Sequence, residues 1–105
     1  MSLIRHIVMI NWKKEAPREE VDSWINFCER IPEECPMVQN WLSGPCVGGP
    51  DPDKPSTHDF GIMFDFPSDE EWEQYLRHPY PELVYVEGMK VIDLDRTASN
   101  NMRLT

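Results

Sequence analysis

The sequence predicts an α+β domain with the ferredoxin-like element order β-α-β-β-α-β, in which helices cover one face of an antiparallel sheet. Two observations carry this prediction. Segments with the two-residue alternation of strands are separated by two segments with the three-to-four-residue spacing of helices. The length of 105 residues fits one domain, so residues 1–105 are predicted to fold as a single unit.

Residues 3–12 are predicted to form the first strand, because β-branched and apolar residues dominate them and charged residues follow. Alternate residues face opposite ways in a strand, so His6 lies on one face while Ile7 and Met9 lie on the other. Neither face of this strand is purely polar, so neither is suited to lie fully exposed to solvent.

A helix over residues 17–31 and a second strand over residues 37–43 follow. Apolar side chains in the helix recur at positions i, i+3, i+4 and i+7, which is the pattern of one buried stripe. Pro32 is expected to end the helix, because proline cannot continue the helical hydrogen bonds. In the second strand, the alternation places Trp41 on the face opposite Leu42.

Residues 44–57 are predicted to be a loop, because they hold three glycines and four prolines. The strand that follows, residues 58–66, has the clearest alternation in the sequence. Its phenylalanines, Phe64 among them, lie on one face, and Met63 lies on the other. The face with the phenylalanines is therefore expected to be the one that the helices cover.

The second half of the chain begins with a capping box. Ser68 and Glu71 stand three residues apart, so each side chain can satisfy a backbone N–H of the other. This helix is expected to stop near His78, because the residue before Pro79 is pushed out of the α-helical region. Residues 81–89 can form a further helical piece.

The last strand has two candidates, residues 91–95 and residues 98–104. Both segments read as strands by composition, and the later one is favoured. Either choice completes the six-element order.

Helices on one face leave the other face of the sheet without a cover in a monomer. If the strands pair as expected, that face carries Ile7, Met9, Trp41 and Met63. Burying each such side chain contributes about 1.5–3 kcal/mol, which would drive association. The sequence therefore predicts a homodimer formed sheet against sheet. The alternative is that these side chains only decorate the surface or contact the long loop.

The composition disfavours several classes of partner. Ten Lys and Arg stand against 19 Asp and Glu, a net charge of −9, and such a field repels nucleic acids and anionic membrane surfaces. No apolar run is long enough to span a bilayer, and a signal-peptide pattern is not expected at the N-terminus. The three cysteines match neither a zinc knuckle nor a redox pair. These features predict a cytoplasmic protein with reduced thiols.

The residue types able to carry chemistry are chiefly the histidines and tyrosines. No metal site is predicted, because His6 and His58 begin antiparallel strands and therefore lie at opposite ends of the sheet. Tyr75 and His78 are three residues apart on one helical face, so they can form a cluster at the helix C-terminus. The alternative, which is favoured, is that Tyr75 packs in the core and His78 caps the helix.

Three short motifs occur in order along the chain: IRHIV at residues 4–8, THD at residues 57–59 and YLRHP at residues 75–79. In this order and spacing they resemble the stress-responsive A/B barrel domain (Dabb) family, over about residues 3–105. The resemblance implies a ferredoxin-like fold whose dimer closes two sheets into an α/β barrel. Most members of that family have no established activity, and several are stress-induced.

One plant branch of the family contains a polyketide cyclase that works without a cofactor and uses a tyrosine and a histidine. By resemblance, the tyrosine corresponds to Tyr75, and supporting histidines correspond to His6, His58 and His78. The catalytic histidine of that enzyme corresponds to Pro81, and proline cannot transfer a proton. The cyclase activity is therefore not carried over to this chain, unless His78 or Tyr80 takes the place of the missing base.

The preferred hypothesis is a homodimer of unassigned biochemical role that binds a small apolar or aromatic molecule between the sheet and the helices. Its predicted ligand-binding residues are His6, Phe64 and Trp72. No cofactor is expected, since the sequence has no axial-ligand motif that would support an oxygenase of the same fold.

The alternative hypothesis is a cofactor-independent lyase, cyclase or isomerase that acts on a small aromatic or polyketide-like molecule. Its predicted catalytic residues are Tyr75, His78 and His58. The two hypotheses differ in whether these side chains converge in one pocket within hydrogen-bonding reach.

Overall fold

A computed structural model describes residues 3–104 of the chain. Its strands are β1 (Leu3–Ile10), β2 (Gln39–Pro45), β3 (Phe60–Phe66) and β4 (Ala98–Leu104). They form one antiparallel sheet in the order β2-β3-β1-β4, the ferredoxin-like order that the sequence predicts. Within the described range, no helix combines the length and the apolar character needed to cross a membrane.

The helices are α1 (Arg18–Cys28), α2 (Ile31–Glu34), α3 (Asp69–Arg77) and α4 (Pro79–Gly88). The prediction of one helix over residues 17–31 is wrong in its extent, since α1 ends at Cys28. Pro32 does not end a helix; it lies in the first turn of α2, where its missing N–H costs nothing.

The predicted capping box at the start of α3 is confirmed in one of its two bonds. The backbone N–H of Glu71 donates to the Ser68 hydroxyl oxygen at 3.5 Å, as predicted, but the Glu71 carboxylate accepts from the Ser68 hydroxyl and not from its backbone N–H. Both contacts lie where α3 leaves β3.

One hydrophobic core lies between the helices and the face of the sheet that carries the phenylalanines, as predicted. Phe64 and Phe66 of β3 are only 2% and 1% exposed. Trp24 of α1 reaches across to α4, where its indole N–H donates to the carbonyl of Val84 at 2.9 Å. The close approach requires a glycine, because a Cβ at Gly88 would lie 3.0 Å from the Trp24 ring nitrogen.

The later of the two candidate segments forms the last strand, as favoured from the sequence. β4 pairs antiparallel with β1 and lies at the edge of the sheet. In the earlier segment, Ile92 forms an isolated bridge with Trp12, and a 3₁₀ turn at Leu94–Arg96 then leads into β4.

The opposite face of the sheet is much more exposed, and we call it the open face. Its apolar residues are Ile7, Met9, Leu42, Met63 and Met102, of which Leu42 is 63% and Met102 46% exposed. Ile7 stands directly opposite Met63 in the β1–β3 register, so these side chains form one continuous patch.

Trp41 does not belong to the open face, and the prediction that placed it there is wrong. Asn40 has a φ of 56°, and the register between β2 and β3 shifts around it by one residue. A one-residue shift exchanges the two faces of a strand. Trp41 therefore stacks on Phe64, and Leu42 takes the position opposite Met63.

An ion pair between the partly exposed Arg5 and the buried Asp65 interrupts the apolar surface of the open face. Asp65 is 0% exposed, and its two carboxylate oxygens accept from Nε and Nη2 of Arg5 at 2.7 and 3.0 Å. The amide of Asn40 donates to the same carboxylate at 2.8 Å. The Arg5 guanidinium, helped by Asn40, holds the pKa of Asp65 below its usual value despite burial.

Candidate functional site

A cavity of about 480 Å³ lies between the sheet and the helices. β1 and β3 supply its floor, α1 and α4 cover it, and most of its lining is apolar. Three lining residues are exposed to solvent: Tyr85, Leu94 and Ser99. These residues mark its mouth, between α4 and the edge strand β4.

An aromatic wall forms one side of the cavity. The rings of Trp41 and Phe64 stack, with centroids 5.1 Å apart and planes inclined by only 14°. Tyr75 also contacts this pair, with its ring centroid 5.6 Å from that of Phe64. Aromatic rings arranged in this way offer flat, polarisable surfaces to a planar molecule.

Polar contacts hold Trp41 in this orientation. Its indole N–H donates to the hydroxyl oxygen of Ser43 at 3.0 Å, and the Ser43 hydroxyl donates to Glu29 at 2.7 Å. Trp41 is thus fixed at its polar edge while its face stays against Phe64.

His6 lines the cavity floor, and its protonation state follows from its neighbours. Its Nδ1 lies 2.8 Å from Oδ1 of Asn101, and an amide oxygen only accepts, so Nδ1 carries the proton. Burial lowers the pKa of His6 below its usual value, more than Asn101 raises it. At neutral pH the ring is therefore uncharged, and Nε2 is an unprotonated acceptor.

Tyr75 supplies the complementary group to the same cavity. Burial raises the pKa of Tyr75, and the nearby thiols of Cys28 and Cys35 raise it further, so the hydroxyl stays protonated at neutral pH. No residue in the described range forms a hydrogen bond with this hydroxyl. It is available to donate to a bound molecule.

The cysteines near the cavity are not nucleophiles. Burial raises the pKa of Cys28 to about 12 and that of Cys35 to about 11, with neighbouring carboxylates adding to the effect. Both thiols are protonated at neutral pH, and only the thiolate is reactive.

Three predicted site residues lie away from the cavity lining. His78 caps the start of α4, where its Nδ1 accepts from the backbone N–H of Tyr80 at 3.1 Å. His58 lies before β3, with its Nδ1 2.9 Å from the Thr57 hydroxyl. Trp72 packs against the core outside the lining.

The cavity brings together His6, Phe64 and Tyr75 from the predicted set, but it does not bring Tyr75 together with His78 or His58. Sequence reasoning missed Asn101 and Tyr85. Asn101 could have been found by pairing the favoured last strand with the first, since it stands directly opposite His6. Across residues 3–104, no cluster of three or more His, Cys, Asp or Glu could hold a metal ion.

Comparison with known proteins identifies the family of the chain and solved structures that share its fold. The sequence profile described as the stress-responsive A/B barrel domain (Dabb) matches residues 4–99, which include every residue of the cavity lining. No curated protein matches the chain.

Several solved structures share the fold over nearly the whole chain. A dimeric ferredoxin-like protein of unknown function from Thermobifida fusca is 18% identical, with a TM-score of 0.78 over 98% of this chain and 92% of that one. A hydroxynitrile lyase from Passiflora edulis is 16% identical, with a TM-score of 0.85 over 98% and 94%. A Dabb family protein from Mesorhizobium loti is 16% identical, with a TM-score of 0.73 over 97% and 96%.

Proposed function

The chain belongs to the stress-responsive A/B barrel domain family, and from that premise we propose that it is a homodimer that binds a small aromatic molecule in the cavity of each protomer. The observation that carries the proposal is the stacked pair of Trp41 and Phe64 in a mostly apolar cavity that opens to solvent. A cavity of about 480 Å³ lies within the range of small-molecule sites in proteins.

The open face supports the homodimer. It combines exposed Leu42 and Met102 with half-buried Ile7, Met9 and Met63, and an apolar patch of this kind calls for a cover. The Thermobifida fusca protein of the same fold is described as dimeric. A twofold dimer through this face would leave the cavity of each protomer accessible, because the cavity lies on the other side of the sheet.

Calorimetric titration with 2-naphthol tests the binding proposal. Two fused rings can lie against the half-buried Trp41, and we expect saturable binding at one site per protomer. Ser99→Trp places a bulky ring at the mouth and should abolish binding. Gln74→Trp, on the exposed side of α3, is the matched control and should bind as the wild type does. Equal binding by both variants would place the site elsewhere.

A second candidate function is proton transfer without a cofactor. Uncharged His6 has an unprotonated Nε2 that can act as a general base. Tyr75 has a hydroxyl in the same cavity that can donate to an oxyanion. The Passiflora edulis protein of this fold is a lyase. In this chain the acid–base pair would be His6 with Tyr75, since His58 and His78 lie away from the lining.

Hydrogen–deuterium exchange in 2-acetonaphthone tests the second candidate. The base removes a proton from the methyl carbon beside the carbonyl, the enolate oxygen accepts from Tyr75, and carbon is reprotonated with deuterium from the solvent. Wild-type protein should accelerate exchange followed by NMR, and His6→Asn should remove the acceleration. Equal rates with and without protein would leave binding as the function.

A further inference from the structure

We propose that the cavity selects an uncharged aromatic molecule that carries a hydrogen-bond donor and rejects the carboxylate of the same shape. This inference rests on the proposed binding function and adds the charge and polarity of the ligand. It follows from three features of the lining: its charge, the field around it, and the direction of its hydrogen bonds.

No charged side chain lines the cavity in the described part of the chain. The ion pairs found in that part, including the Arg5–Asp65 pair, lie outside the lining. An ion that enters would lose water without gaining a partner of opposite charge, which is costly in a poorly solvated site.

The charge of the whole chain adds to this discrimination against anions. With a net charge of −9, the field at the mouth disfavours a carboxylate before it reaches the lining. The exposed mouth residues Tyr85, Leu94 and Ser99 are themselves uncharged.

The lining also determines whether a ligand must donate or accept hydrogen bonds. Nδ1 of His6 is engaged by Asn101, so the nitrogen left for a ligand is the acceptor Nε2. A carboxylate only accepts and would set its lone pairs against that of Nε2. An amide or a hydroxyl group donates to Nε2, and an oxygen of the ligand can accept from Tyr75.

Calorimetry at pH 7.5 with three probes of nearly the same shape tests the inference. Naphthalene-2-carboxamide is uncharged and donates, 2-acetonaphthone is uncharged and does not donate, and naphthalene-2-carboxylate is an anion. We expect the carboxamide to bind at least about tenfold more tightly than the carboxylate, and more tightly than the ketone. A carboxylate that binds as well as the carboxamide would overturn the inference, and so would a ketone that does.

A charge placed in the lining separates the local effect from the field of the whole chain. Ser99→Lys puts an ammonium at the mouth and should raise carboxylate affinity about fivefold while leaving the carboxamide nearly unchanged. Gln74→Lys adds the same charge on α3, away from the cavity, and should change neither. Equal gains in both variants would show that the lining does not discriminate, which contradicts the inference.

The outcomes of these experiments distinguish a failure of the inferred ligand selectivity from a failure of the proposed binding function. If 2-naphthol and all three probes fail to bind, the proposed function is wrong and the inference falls with it. If 2-naphthol binds and the carboxamide does not, or an ionic probe binds as tightly, only the inference is wrong.

Discussion

His6 and Asn101 face each other across neighbouring strands, and Nδ1 of the imidazole donates to the amide oxygen at 2.8 Å. The pairing depends on β4, the edge strand, whose position therefore sets the tautomer of His6. One residue to either side on the same strands lie Arg5, Ile7 and Met102 of the open face. The cavity floor and the open face are thus two sides of the same backbone.

The pairing predicts the titration of His6. NMR should give a pKa below the ordinary value of about 6.5, because burial disfavours the imidazolium form. Asn101→Leu keeps the branched shape of the side chain but removes the acceptor that favours the charged form, so the pKa of His6 should fall further. A wild-type pKa above 6.5, or a rise in Asn101→Leu, would contradict the assignment.

The Arg5–Asp65 pair predicts a loss of stability in acid. The pKa of Asp65 in the folded state lies below its unfolded value of about 3.9. The pair's contribution to the free energy of unfolding is therefore complete above the unfolded value and disappears as the pH falls through the lower folded pKa. Urea denaturation should show Asp65→Asn destabilised by about 2–3 kcal/mol at pH 7. The difference from wild type should shrink towards pH 3; a constant difference would speak against the pair.

Replacing both members of the pair is expected to cost less than replacing one. Asp65→Leu alone leaves both Arg5 and the Asn40 amide without their partner, whereas Arg5→Met with Asp65→Leu removes the unpaired charge and leaves only the Asn40 amide without it. The double variant should recover at least half of the stability lost in Asp65→Leu. Additive losses would show that the pair contributes more than the desolvation cost it carries.

The open face predicts a defined oligomer. Met63→Asp puts a charge at its centre and should convert a dimer into a monomer in sedimentation equilibrium, since an unpaired charge cannot be buried cheaply between two sheets. Leu76→Asp makes the same change at a 65% exposed position on α3 and is the control. A wild-type mass of one chain would reject the dimer.

Tyr80 is predicted to hold the cavity's cover in place. Its hydroxyl donates to the carbonyl of Phe27 at 2.6 Å and so ties the start of α4 to the end of α1. Tyr80→Phe should lower the free energy of unfolding by about 1 kcal/mol. Tyr85→Phe is the matched control, because the Tyr85 side chain is 58% exposed, and the stability of this variant should stay within about 0.5 kcal/mol of wild type.

Much of the fold could be predicted from the sequence, because its local signals agree with one another. The alternation in β3, the helical spacing in α1 and the capping box at Ser68 each point to the structure that forms. The break of the first helix after Cys28 could not be predicted in the same way, since the apolar spacing runs on to Ile31 and hides it.

The site was harder to predict than the fold, because it depends on register and on where the cavity lies. The shift around Asn40 reverses Trp41, and alternation alone cannot reveal a left-handed residue within a strand. The sequence offers His78 as an acid or as a cap for the helix before it, whereas in the structure its Nδ1 accepts from the backbone N–H of Tyr80 at the start of the next helix. Tyr75 and His6 come together through Phe64, a contact between three distant segments.

The most direct test of the account is to locate a bound molecule by intermolecular nuclear Overhauser effects, with labelled protein and naphthalene-2-carboxamide. Binding in the cavity predicts contacts from the naphthalene protons to the rings of Trp41 and Phe64, and from the amide protons to His6. Contacts only to Met63 and Met102 on the open face, or the absence of any contact to a cavity residue, would contradict binding in the cavity.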